Sequence, residues 1–160
     1  MKKRILKTAI EVYNSEKELE SQDQKLIKMA KKALKKSYSP YSKFQVGAAI
    51  LLANGKMLSG ANQENASYPL CLCAERVVLS AASCTYPDVP IVAMAITAKS
   101  SSQKVESPVA PCGACRQVIC ETEMRYQKDI RLILQGEKGK VFITSSGKNL
   151  LPLSFDGSLI

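Results

Sequence analysis

The sequence predicts an α/β fold: a three-layer α/β/α sandwich around one mixed five-stranded sheet. Two observations carry that expectation. Helical and strand patterns interleave along the chain in the order α-β-β-α-β-α-β-β, which puts helices against both faces of a sheet. The length, 160 residues, suits one domain with one core, and no internal repeat or low-complexity tract divides it.

Each element has its own signal. Residues 1–20 are a mixed, charged lead-in, an N-terminal extension of unknown role, and residues 21–160 read as one folded domain. Ser21-Gln22-Asp23-Gln24 reads as a capping box with Ser21 at the N-cap. Leu26, Ala30, Ala33, Leu34 and Tyr38 follow at helical spacing with lysines on the other face, and Pro40 stops the helix. Residues 44–53 are apolar enough for a buried strand. Asn54-Gly55 signals a type I′ hairpin, and residues 56–61 return as the partner strand. Residues 73–83 read as a helix, 91–97 as a buried strand, and Pro111 precedes a helix over 112–123. Residues 131–135 and 140–144 are two short strands around a Glu-Lys-Gly turn.

Composition excludes several classes. No apolar run reaches the ~18 residues of a membrane span. Lys7 and Glu11 break up the basic N-terminus, so no secretory leader is expected and a cytoplasmic location is. In that compartment the six cysteines (71, 73, 84, 112, 115 and 120) point to metal or chemistry rather than disulfides. There is no histidine, which removes Ser-His and Cys-His machinery and any His-ligated metal. The net charge is +9, yet residues 1–36 carry eleven Lys/Arg against five Asp/Glu and the rest twelve against nine. The excess sits away from the cysteines and reads as a solvated helix face, so no nucleic-acid partner is expected.

Two segments carry the chemistry: Cys73-Ala74-Glu75 and Pro111-Cys112-Gly113-Ala114-Cys115. Cysteines at i and i+3 share a helix face, so Cys112 and Cys115 can grip one ion, and Cys73 can add a third thiolate from the start of another helix. Zinc suits three thiolates with a fourth position left open for water. Glu75, two positions from a ligand, can stand beside the metal without binding it and move protons between water and substrate. Three thiolates leave a zinc site formally at −1. Two helix N-termini, each with free N–H groups, and Arg76 can draw charge from the sulfurs. Arg116 reads as solvent-facing, and Cys71, Cys84 and Cys120 as buried small hydrophobes.

The C-A-E plus P-C-x-x-C pattern resembles the zinc nucleoside and base deaminases, whose usual signature has histidine where this chain has Cys73. With cysteine there, it resembles the short, homotetrameric cytidine deaminases. The agreement extends to Tyr41-Ser-Lys-Phe-Gln-Val-Gly-Ala-Ala, Asn62-Gln-Glu-Asn65, Cys-Ala-Glu-Arg76 and Pro-Cys-Gly-Ala-Cys-Arg-Gln117, and covers residues 37–134. The resemblance implies Cys73, Cys112 and Cys115 as ligands of one Zn²⁺ and Glu75 as proton shuttle. It also implies Asn62 and Glu64 on the ribose hydroxyl, Phe44 beside the pyrimidine ring, the Ala74 N–H on the base carbonyl and the Ala110 carbonyl on the substrate amine. Phe155 would reach a neighbouring subunit's site. The implied reaction is hydrolytic deamination of cytidine and deoxycytidine to the uracil nucleosides, by a homotetramer whose catalytic domain spans residues 21–160.

Three other readings share part of this pattern. A polynucleotide deaminase would use the basic balance, but the chain has no tryptophan and three phenylalanines from which to build stacking platforms. A nucleoside-antibiotic deaminase would share the motif set. A structural module would close a four-thiolate site with Cys71, Cys73, Cys112 and Cys115, leaving Glu75, Asn62 and Glu64 idle.

Overall fold

The computed structural model describes residues 1–157. They run β1 (Glu11–Tyr13), α1 (Ser21–Ala33), β2 (Phe44–Leu52), β3 (Met57–Ala61), α2 (Ala74–Thr85), β4 (Ile91–Ser100), α3 (Gly113–Tyr126), β5 (Arg131–Gln135) and β6 (Val141–Thr144). The sheet order is β1-β6-β5-β4-β2-β3, with β4 and β5 parallel and the other pairs antiparallel. The sandwich is as expected, but the sheet has six strands rather than five. The additional one, Glu11–Tyr13, pairs antiparallel with β6, Val12 opposite Phe142. It has no apolar alternation of its own to announce it, because the open ladder of β6 supplies its pairing.

Strand alternation sorts the core into two layers. On one face Ala49 and Leu51 of β2 meet Leu26, Ile27 and Ala30 of α1. On the other, Ala48 and Ile50 meet Ala74, Val78 and Leu79 of α2 and Ile119 of α3. Helix α2 lies directly on β3. A Cβ on Gly60 would stand 3.0 Å from the Val78 nitrogen and 3.1 Å from the Ala74 carbonyl oxygen. Glycine there lets the first turn of α2 settle onto the sheet.

Three local expectations change. Ser21 is the first helical residue and Glu20 the N-cap, and Gln24 turns back to donate to the Leu19 carbonyl at 2.8 Å instead of closing a box. Asp23, buried in that first turn, holds Arg131 of β5 through both guanidinium nitrogens, one at 2.8 Å. Tyr38 lies beyond α1 and is exposed, since the helix closes through a 3-10 turn, Leu34–Lys36, and the chain is extended from Ser37. The hairpin is not type I′. Leu52 and Lys56 close a three-residue loop in which Gly55 takes positive φ and Asn54 does not.

Candidate active site

Helices α2 and α3 both begin on a cysteine. Cys73 (φ −71°, ψ 150°) and Cys112 (φ −66°, ψ 168°) are extended N-caps with no side-chain cap, which frees both sulfurs. Cys115 follows in the first turn of α3. The Sγ atoms of Cys112 and Cys115 are 3.5 Å apart and those of Cys73 and Cys112 4.0 Å, all three within 4.8 Å. Thiolates at about 2.3 Å from one tetrahedral ion stand roughly 3.8 Å apart, so the spacing fits a single zinc. Cys115 is buried, Cys73 half-buried and Cys112 exposed, so the cluster is closed on one side and open on the other.

The electrostatics suit that occupant. The Cys73 thiol is lowered to about 5, chiefly because Cys115 donates to its sulfur, with Arg76 and Cys112 adding against the opposing effect of burial. The Cys115 thiol is pushed up in turn, chiefly by its hydrogen bond with Cys73 and by burial. Three sulfurs crowded this closely favour a cation that replaces their protons. Arg76 is anchored by Nη2 on the Cys71 carbonyl at 2.7 Å. Its buried Nε has no hydrogen-bond partner, and the guanidinium helps hold the Cys73 thiol low.

Glu75 is 4% exposed, at the second position of α2. Burial lifts its carboxyl above the usual carboxylate range against its own backbone N–H, and the negative sulfur of Cys73 adds to the lift. Ala74, first in the helix and buried, has an N–H with no intrahelical acceptor. Ala110 is exposed just before Pro111. Its loop is fixed from behind: the Glu137 N–H donates to the Val105 carbonyl at 2.8 Å. A Cβ on Gly136 would stand 2.2 Å from that same oxygen.

The remaining residues fall into two neighbourhoods. Asn62 is a stitch: Oδ1 accepts from Ser37 Oγ at 2.6 Å and the Val46 N–H at 2.8 Å, while Nδ2 donates to the Phe44 carbonyl at 2.9 Å. Phe44 and residues 103–109 line an open cleft of about 660 Å³. Glu64 opens on a separate hollow with Tyr41, Ser42, Tyr68 and Cys71. Its carboxylate accepts from the Tyr41 N–H at 2.9 Å and from the Ser42 N–H and hydroxyl; the hydroxyl above all holds its carboxyl below the ordinary range. Phe155 is 62% exposed, with its carbonyl held by Gln117 Nε2 at 2.8 Å.

Three expectations about neighbouring residues are corrected. Cys84 is exposed and Cys71 half-buried; only Cys120 is a buried hydrophobe. The Cys71 sulfur accepts from the Asn65 N–H at 3.2 Å and stands outside the three-sulfur group, so a four-thiolate site does not form. Arg116 does not face solvent. Its Nε donates to the Pro111 carbonyl and its Nη1 to the Leu150 carbonyl, both at 2.8 Å. By sequence Arg116 is a lesser candidate partner of the sulfurs than Arg76, and Gln117 closes the second cysteine motif without a role assigned to it. Sequence reasoning overlooked Glu123 and Gly136, which nothing local flags.

A family model described as the cytidine and deoxycytidylate deaminase zinc-binding region matches residues 20–127. A cytidine deaminase of Halalkalibacterium halodurans is 44% identical over 134 residues, covering 82% of this chain and 92% of that one. The crystal structure of cytidine deaminase from Burkholderia pseudomallei superposes with a TM-score of 0.72 at 41% identity, over 82% of this chain and 98% of that one. That from Mycobacterium tuberculosis gives 0.63 at 29% identity, over 83% and 96%.

Proposed function

Given that the chain belongs to the cytidine and deoxycytidylate deaminase family, we propose that it is a cytoplasmic enzyme of nucleoside salvage, acting as a homotetramer on free cytidine and deoxycytidine. It is a zinc-dependent hydrolase that converts cytidine and water to uridine and ammonia. The observation that carries this reading is a buried carboxylate, Glu75, next to three sulfurs spaced for one metal ion.

Cys73, Cys112 and Cys115 hold the zinc, which when bound acidifies water and so supplies a nucleophile at neutral pH. The chain's own groups do the rest. Glu75, whose burial raises its carboxylate's affinity for a proton, accepts one from the attacking water and passes it to N3 of the pyrimidine as C4 is attacked. It then takes the remaining proton of the oxygen now on C4 and hands it to the departing amine, which leaves as ammonia while C4–O becomes the product carbonyl, so one carboxylate serves twice as base and acid. The Ala74 N–H, a free donor at a helix start, receives the base carbonyl. The Ala110 carbonyl accepts from the substrate amine. Arg76 offsets the sulfur charge that would otherwise weaken the metal as an acid.

The sugar contacts rest on Asn62 and Glu64. Asn62 already spends both oxygen lone pairs within the protein, so it contributes an amide N–H to the ribose while Glu64 accepts from the 3′ hydroxyl. Because Glu64 stays ionised, a 3′ phosphate would meet a negative charge, which favours free nucleosides over polynucleotides. Phe44, tethered through its carbonyl by Asn62, packs beside the ring. Phe155 completes the site of a neighbouring subunit.

The test is ultraviolet-monitored turnover of cytidine by protein with its zinc quantified, in parallel with single-stranded oligonucleotide. Conversion of the free nucleoside, near one zinc per chain, supports the reading. Editing of the oligonucleotide alone would reverse the assignment of Glu64.

A further inference from the structure

The C-terminal segment runs back along α3 toward the sulfurs. At its root Glu123, 1% exposed, accepts from Ser146 Oγ at 2.9 Å and from the Gly147 N–H at 2.8 Å. Farther on, Arg116 holds the Leu150 carbonyl and Gln117 the Phe155 carbonyl. The segment therefore passes from the last turns of α3 to its first, where Cys115 lies.

The N-terminal extension meets the same segment. Strand β1 pairs with β6, which leads into it, and Thr8 Oγ1 donates to the Asn149 carbonyl at 3.0 Å. Leu6 and Lys7 face Pro152 and Leu153 across a hollow of about 260 Å³. Among the described residues, the segment's only regular element is a three-residue 3-10 turn at Gly147–Asn149; the rest is irregular and includes Leu153 at φ 59° and 91% exposed. A chain of this kind keeps one path only when its carbonyls are held from outside.

We propose that residues 4–13 are a brace for the C-terminal segment, with Thr8, Arg116 and Gln117 as positioning residues that set where the Phe155 ring is presented. The consequence for catalysis rests on the reading of Phe155 as part of a neighbour's site; the brace itself does not.

Two readouts test it on the full-length zinc enzyme: tryptic release of the peptide after Lys148, and the split between KM and kcat for cytidine. Val12→Pro, tolerable at an edge strand, and Thr8→Val should both speed that cleavage. Thr8→Val should raise KM roughly two- to tenfold, the scale of one lost hydrogen bond, with little change in kcat, and Thr8→Ser should restore it. Cleavage unchanged in both variants overturns the brace. Faster cleavage with unchanged KM, where Phe155→Ala does raise KM, overturns the positioning role. An unchanged KM in Phe155→Ala instead overturns the reading of Phe155, and the cleavage result still decides the brace.

Discussion

Helices α2 and α3 start from the same device, an extended cysteine N-cap with a free sulfur, yet their first turns carry different groups. Both first turns carry free N–H groups, but in α3 the residues are Gly113, Ala114 and Cys115, so the only side-chain chemistry is a second sulfur, fully buried. In α2 they are Ala74, Glu75 and Arg76, which add a buried acid and a cation. The contrast teaches a division of labour. On the proposed reading, the start of α3 grips, whereas that of α2 grips with one atom and handles protons and charge with the others.

The comparison can be broken at several points. The largest effect should come from the gripping side: Cys115→Ala should lose zinc and all turnover and lower thermal stability, read by metal analysis and calorimetry. On the working side, Glu75→Gln should keep its zinc while kcat falls by ~10²–10⁴, the usual worth of a positioned acid–base group. Loss of zinc from that variant would put Glu75 among the ligands and erase the distinction. Arg76→Gln should weaken zinc by about 10- to 100-fold in chelator competition, as second partners of metal ligands typically do. Gly136→Ala, which forces the Val105 carbonyl away from the sheet, should cost about 1–3 kcal/mol in denaturant unfolding, without changing zinc content. Smallest of all, Cys71→Ser should leave zinc stoichiometry unchanged, because its sulfur already serves Asn65.

The site's metal end was legible because its signal is local. Cys112 and Cys115 are three residues apart on one helix, and Glu75 is two from Cys73, so spacing alone puts these groups near one another. Strand β5 was read with its exact bounds, and α2 and α3 to within three residues, because buried alternation and helical spacing are also local. What was not legible depends on partners distant in sequence. Residues 11–13 become a strand only because residues 141–143 are there to pair with. Arg116 looks like a surface arginine until the chain returns at Leu150 to offer a carbonyl. Glu123 looks like any helical carboxylate until Ile130, Ser146 and Gly147 converge on it. The hairpin was misread for a subtler reason: Asn54 is compatible with positive φ but adopts it only if the strand ends demand a two-residue loop, and here they close a three-residue one.

The six-stranded sheet has a consequence for how the protein behaves in concentrated solution. Residues 141–144, Val-Phe-Ile-Thr, are β-branched and aromatic without a charge, the composition that adds strands from other molecules when its ladder is open. Strand β1 occupies that ladder with a three-residue segment that opens on Glu11 and is too short to template a further copy efficiently. Removing the pairing would expose a sticky edge, so the same short stretch also guards against aggregation.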